Sequence, residues 1–312
     1  MGEENTAARA RAVRTYLAFI VAACIVPAAL LGAALIGYDY YHRERARIVR
    51  DSTGTARAMV HEIDRELAAI RLAAQVFATS QPARAGEIEA LRARAIELVG
   101  RGLGANVVLS DASGRQLLNT LRKPGEPLPM HGNLEQLRAV FATAQPVISD
   151  LYTGGVTRRP VMSVDVPVLR DGSVAYDLSV GVLPGRFLAL LQEQKLPEGW
   201  IGAVFDRAGT VVARTHEHER FVGQKGSPAL VQRMAQASED AFDSTTLEGI
   251  PVLTVFSRSS VSGWTVALGI PEHQLVAQLW YSMARLLLVT MVTLGIALGL
   301  ALVLSGRLTR LR

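Results

Sequence analysis

The chain has 312 residues, 49% apolar and 20% charged, and its 33 Lys and Arg against 28 Asp and Glu give a formal charge of +5. This composition excludes a disordered or collagen-like chain and predicts a packed protein of two or three domains. A mean hydropathy of +0.23 is high for a soluble protein and directs attention to long uncharged runs.

Residues 1–14 form a tail with Arg9, Arg11 and Arg14 against Glu3 and Glu4. A first transmembrane helix is expected over 15–37, because Tyr16–Ile36 carries no charge over 21 residues, close to the roughly 20 that span a bilayer core. A cleaved signal peptide fits less well, since that run exceeds the usual apolar length of such peptides. A second uncharged run, Leu286–Leu304, places another span over 281–305, and Arg307, Arg310 and Arg312 follow it in 306–312. Arginines beyond both runs predict cytoplasmic termini and an extracytoplasmic central domain. Tyr38, Tyr40, Tyr41, Trp280 and Tyr281 match interfacial aromatics on the same side of the bilayer. The basic charge gathers at the membrane flanks, so nucleic-acid binding has no support. Cys24 is the single cysteine and lies inside the first run, so the outer domain must rely on its core.

A stalk helix is expected over 38–79. From Tyr41 to Phe77 there is no proline, and Ala56, Met59, Val60, Ile63, Leu67, Ile70, Ala74 and Phe77 recur at three-and-four spacing. Gly54 is its one potential break. The stripe leaves two uses open, a dimerising seam or ordinary packing on the chain's own domain; its alanines and charged far side favour the seam. Gly295 with Gly299, and Ala28 with Gly32, offer further close-approach motifs for a homodimer within the spans.

A hairpin follows: Asn106–Ser110, a turn at Asp111-Ala112-Ser113-Gly114, then Arg115–Thr120. The pattern returns in 201–215, where Asp206, Gly209 and Thr215 fall 95 residues after Asp111, Gly114 and Thr120. PVMSVDVPV at 160–168 returns as PVLTVFSRS at 251–259, and each is followed by a further strand, Val174–Val182 and Trp264–Ile270. Two such similar offsets predict a tandem repeat. Helices are expected at Glu87–Leu98, Leu134–Ala144, Arg186–Gln194 and Ala229–Ala237, and the mixture is α+β.

The segments VVLSDASGRQLL, ISDLYTGGVTRRPVMSVDVPVLRDGSV, AVFDRAGTVVART and SGWTVALGIPEHQL, in this order after a stalk helix and between two spans, resemble the double Cache sensor domain of bacterial transmembrane receptors. The resemblance covers about residues 40–281. It implies two tandem PAS-like modules with antiparallel sheets, a membrane-distal one at 80–196 and a membrane-proximal one at 197–280. It also implies placement in the bacterial inner membrane, with the central domain in the periplasm and a small solute as ligand, usually in the distal module. Receptors of this kind include histidine kinases, chemoreceptors and cyclic-dinucleotide enzymes, and SGRLTRLR stands where such a receptor would enter its cytoplasmic transmitter region.

The ligand-binding expectation rests on strand alternation. Met162, Val164, Val166 and Val168 share one face, with Ser163 and Asp165 on the other; Asp177 and Ser179 stand likewise on the following strand. That polar face either lines a pocket or is solvated. Tyr152 matches the tyrosine that family members carry after the ISD strand, and His131 and Arg158 lie in loops that would cap the sheet. Amino-acid-binding members carry an Arg-x-Trp-Tyr element, which is missing from HGNLEQLRAVFATAQPVISD, and an aspartate where Gly181 stands here. Both departures argue against an amino-acid ligand. No catalytic set, metal set or cofactor motif stands out: HEHER at 216–220 is not the HExxH helix, and no P-loop or dinucleotide fingerprint occurs. A membrane-anchored ectoenzyme therefore lacks its machinery. A ligand-free assembly or scaffold protein is the other alternative to a receptor.

Overall fold

A computed structural model describes residues 2–274, with 284–285, 287–293, 295–296 and 299 beyond them. The chain divides into two compact units, Val49–Pro271 and Met1–Ile48 with Glu272–Arg312. The expected first span falls within a helical stretch, most of whose side chains lie outside the described ones, and much of the second span lies outside the described residues. Among the described residues, no helix is long and apolar enough to cross a membrane.

The first helix, α1, covers Gly2–Ala78 and continues through Gly54. Short α2 (Gln81–Ala85) and α3 (Ile88–Gly100) follow. The first hairpin is β1 (Asn106–Ser110) and β2 (Gln116–Asn119). Next come α4 (Leu134–Thr143), the two-residue strands β3 (Val147–Ile148) and β4 (Tyr152–Thr153), and the long pair β5 (Pro160–Arg170) and β6 (Ser173–Val182). Helix α5 (Pro184–Glu193), opened by proline in its first turn, leads to β7 (Ile201–Phe205) and β8 (Val211–Arg214). The chain then forms α6 (His218–Phe221), α7 (Pro228–Gln236), β9 (Glu239–Thr245), β10 (Pro251–Arg258) and β11 (Thr265–Pro271). All strand pairs are antiparallel, and the class is α+β with a long N-terminal helix and two sheets.

The repeat extends to the backbone. One sheet has the order β2-β1-β6-β5-β3, with β4 also paired to β5, and the other has β8-β7-β11-β10-β9. Gly114 N–H donates to Asp111 O at 2.9 Å, as Gly209 does to Asp206 at 3.0 Å. Both glycines have positive φ, +83° and +74°, where a side chain is strained. The isolated bridges Arg115–Met130 and Thr210–Lys225 correspond at the same spacing.

The apolar stripe of α1 is buried within its own chain. Ala56, Met59, Val60, Ile63, Leu67, Ile70, Ala74 and Phe77 share one cluster with Leu109, Val164 and Leu178 of the first sheet and Val204, Val212 and Trp264 of the second. The expected dimerising seam is therefore not available to a partner over this stretch, and ordinary packing is the use the structure shows. The physical reason is that two sheets each expose an apolar face, which the helix covers. Its polar side also holds the second sheet: Asp64 accepts from the Ser259 hydroxyl at 2.7 Å and from the Ser262 hydroxyl at 2.7 Å.

Candidate functional site

The first sheet is buried on both faces. Met162, Val164, Val166 and Val168 meet the α1 cluster, while Ser163, Asp165 and Asp177 are also fully buried and Ser179 nearly so. The polar face of β5 and β6 is thus not solvated. Register explains the grouping, because Asp165 pairs with Ser179 and Ser163 with Gly181 across the ladder. His131 reaches this face from the segment before α4, placed by its own N–H, which donates to Gly114 O at 2.7 Å.

His131 Nε2 lies 3.1 Å from Ser179 Oγ, 3.4 Å from Asp177 Oδ2 and 3.9 Å from Asp165 Oδ2. The Ser179 hydroxyl donates to Asp177 Oδ2 at 2.9 Å. Both oxygens of Asp165 and Oδ1 of Asp177 are buried without a hydrogen-bond partner. Burial pushes both carboxyls above the usual carboxylate range, and the charge of Asp165 raises Asp177 further. Burial lowers the His131 imidazole, with its Asn133 backbone contact pulling the other way. The three side chains bring one potential ligand atom each within 4.8 Å of one another.

Beside this group lies a cavity of about 160 Å³, lined by His131, Tyr152, Ser163 and Ser179 together with Asn106, Gln116 and Asn119. Tyr152 enters from β4; burial raises its phenol beyond the usual range, helped by the charges of Asp165 and Asp177 and opposed by the Ser163 hydroxyl. Arg158, by contrast, is exposed and does not line the cavity. Of the seven expected residues, the fold therefore gathers Tyr152, Ser163, Asp165, Asp177, Ser179 and His131, and leaves Arg158 outside.

Sequence reasoning missed Asn106, Gln116, Asn119 and Gln136. The signal was present in Gln116 and Asn119, polar residues bracketing two leucines in β2. Gln136 donates to Val147 O at 3.3 Å and approaches Ser163 Oγ at 3.5 Å, joining α4 to the cavity wall. At Gly181, a Cβ would fall 2.1 Å from Asn106 Oδ1, so the amide of Asn106 fills that space.

The second module fills the same place. Repeat spacing and strand register put Phe256 where Asp165 stands, Phe205 for Ser110, Thr265 for Asp177, Ala267 for Ser179 and Gly226 for His131. Phe205, Phe256, Ala203, Ala267 and Met234 pack there as a separate apolar core. The hollow left beside that core is only about 60 Å³.

The cavity wall is tied to the second module. Leu151 N–H, next to Tyr152, donates to Asp206 Oδ2 at 3.1 Å, and the Arg207 guanidinium donates to Asp150 Oδ1 at 2.9 Å and to Ile148 O at 2.6 Å. Tyr152 is also held against Gly132, where a Cβ would lie 2.8 Å from its ring. Gly132→Ala should displace that ring and weaken any ligand held by it at least tenfold with little loss of melting temperature; calorimetric titration checks this, and unchanged affinity would remove Tyr152 from the site.

No family model matches the sequence, and neither does any curated protein. Solved structures do resemble it. The extracellular domain of rpHK1S-Z16, assigned as a histidine kinase, has a TM-score of 0.62 at 12% identity, covering 72% of this chain and 94% of that one. The ligand-binding domain of Mlp24 with asparagine has a TM-score of 0.58 at 16% identity, covering 77% and 98%. The ligand-binding domain of the Pseudomonas fluorescens chemoreceptor CtaA with L-serine has a TM-score of 0.57 at 14% identity, covering 73% and 99%. At these identities the likeness is one of fold: the chain folds as these extracellular and ligand-binding domains do.

Proposed function

We propose that this chain is a two-pass sensory receptor of a bacterial inner membrane, whose periplasmic 49–271 unit binds a small solute in the distal cavity. The observation that carries the reading is the unequal repeat. In the proximal module Phe205 and Phe256 fill the corresponding place and leave only about 60 Å³ beside them, whereas the distal one keeps buried Ser163, Asp165, Asp177 and Ser179 beside a hollow of about 160 Å³. A few convergent polar groups in a cavity are what a ligand site needs. A core would have been cheaper to fill with apolar side chains, since buried polar groups without partners cost stability.

Signal would pass as a shift between two arrangements of the receptor, biased by ligand. The contacts of Asp150, Leu151, Asp206 and Arg207 support coupling between the modules, because they join the segment carrying Tyr152 to the turn of the second hairpin. A homodimer and a cytoplasmic output domain complete the reading.

Two experiments test it. A reporter fused after Arg312 should score as cytoplasmic and one inserted near Gly125 as periplasmic; the reverse pattern would overturn the membrane topology. The full chain in detergent, screened against organic solutes with a chelator present and against single metal ions without it, should show a thermal shift with one of them that Asp165→Ala removes. At a ligand concentration 100 times the dissociation constant, binding adds about 2.7 kcal/mol of stability. A shift retained in that variant would place the solute elsewhere.

A further inference from the structure

The cluster of His131, Asp165 and Asp177 is unlike a satisfied polar core. Three carboxylate oxygens are sealed from solvent without a well-formed hydrogen bond, with only the Ser163 and Ser179 hydroxyls near Asp165, in a place where the sister module has Phe256 and Thr265. Such carboxyls are neutralised by a proton or by a cation, and the imidazole nitrogen beside them completes a donor set for a cation.

We propose that His131 Nε2, Asp165 and Asp177 bind one divalent transition-metal ion, of the zinc kind, and that this ion is the solute sensed in the distal module. The proposal rests on the receptor reading of the cavity and names its ligand class. The donor spacing supports it. Tetrahedral donors about 2.0 Å from an ion lie about 3.3 Å apart, and the imidazole nitrogen stands 3.4 Å and 3.9 Å from the two carboxylate oxygens. Two carboxylates and a neutral imidazole carry the charge that a divalent ion cancels. One nitrogen donor favours zinc-like ions over calcium or magnesium, which select oxygen alone.

The surroundings of His131 fit both states of the site. Its Nδ1 lies 3.1 Å from the Asn133 N–H, which can donate to it when Nε2 carries the proton. The same Nδ1 is 2.9 Å from Asn133 O, which can accept its proton when Nε2 gives its lone pair to a metal. A backbone carbonyl in that role is the usual partner of a metal-bound histidine. The adjacent cavity of about 160 Å³ has room for about five waters, so the open side of the ion can stay hydrated.

The test uses the full chain in detergent, stripped with chelator and titrated with Zn²⁺, Mn²⁺, Ca²⁺ or Mg²⁺ alone. Zn²⁺ should bind one per chain and raise the melting temperature, and Ca²⁺ and Mg²⁺ should not. His131→Gln and Asp177→Asn should each weaken Zn²⁺ at least about 100-fold, and His216→Ala should leave it unchanged. X-ray absorption of the zinc-loaded natural chain, which depends on no variant, should show one imidazole with oxygen donors. No saturable Zn²⁺ binding, binding that survives both variants, or two imidazoles on the ion would overturn the proposal. The solute screen with chelator present separates the two readings: an organic solute that shifts melting there, with no zinc binding, would sink the ion and leave the receptor standing.

Discussion

Leu67→Ala should lower the melting temperature of the protein by roughly 5–15 °C. Leu67 is 1% exposed at the middle of the α1 stripe, within the cluster that takes in both sheets. Removing a buried leucine side chain costs about 2–5 kcal/mol, through lost transfer energy and the cavity left behind, and each kcal/mol is worth about 2–4 °C for a unit of this size. Leu72, on the same helix and 64% exposed, is the control, and Leu72→Ala should move stability by less than about 0.5 kcal/mol. Thermal unfolding followed by circular dichroism decides the matter. Equal, small shifts for both variants would mean that the stripe is not the seat of the helix.

Asp165→Asn should stabilise the chelator-treated protein at pH 8 and leave it nearly unchanged at pH 4. Burial raises the folded-state pKa of Asp165 above its unfolded value. Between those two values the folded chain holds a proton that the unfolded chain has released. Stability therefore falls as pH rises from about 4 through the raised pKa, and it stays low above it. Asparagine keeps the shape and removes the charge, so the gain at pH 8 should be about 1–4 kcal/mol, at about 1.4 kcal/mol for each pH unit by which burial raises the carboxyl. His131 contributes with the opposite sign, since its pKa is lowered, and at pH 8 it is uncharged in the folded and unfolded chains, so the comparison there reads the carboxyls. Denaturant unfolding at the two pH values measures the difference. A destabilised Asn variant at pH 8 would show that Asp165 is satisfied in the fold.

Much of the architecture was legible because its signals are local. Period-two alternation marked β5 and β6, three-and-four spacing marked α1, and Asp-x-x-Gly turns at 111 and 206 marked the two hairpins. The tandem repeat emerged from the spacing of those same turns. Gly54 raised the question of a break, yet α1 runs through it, because buried neighbours such as Ala56, Met59 and Val60 hold the helix against the sheets despite its weak propensity there.

The sequence by itself determined the α+β class, the duplicated strand order, the uncharged runs at either end and the polar set Ser163, Asp165, Asp177 and Ser179 on one strand face. Only the tertiary structure decided that this face is buried, that His131 joins it from 34 residues before Asp165, that Arg158 does not, and that the α1 stripe is used inside the chain. The physical reason is that alternation fixes which way a side chain points, a property of a few neighbouring backbone dihedrals. What covers that face is set by strand register and by the path of the His131 segment and α4, which depend on contacts between residues far apart in the chain.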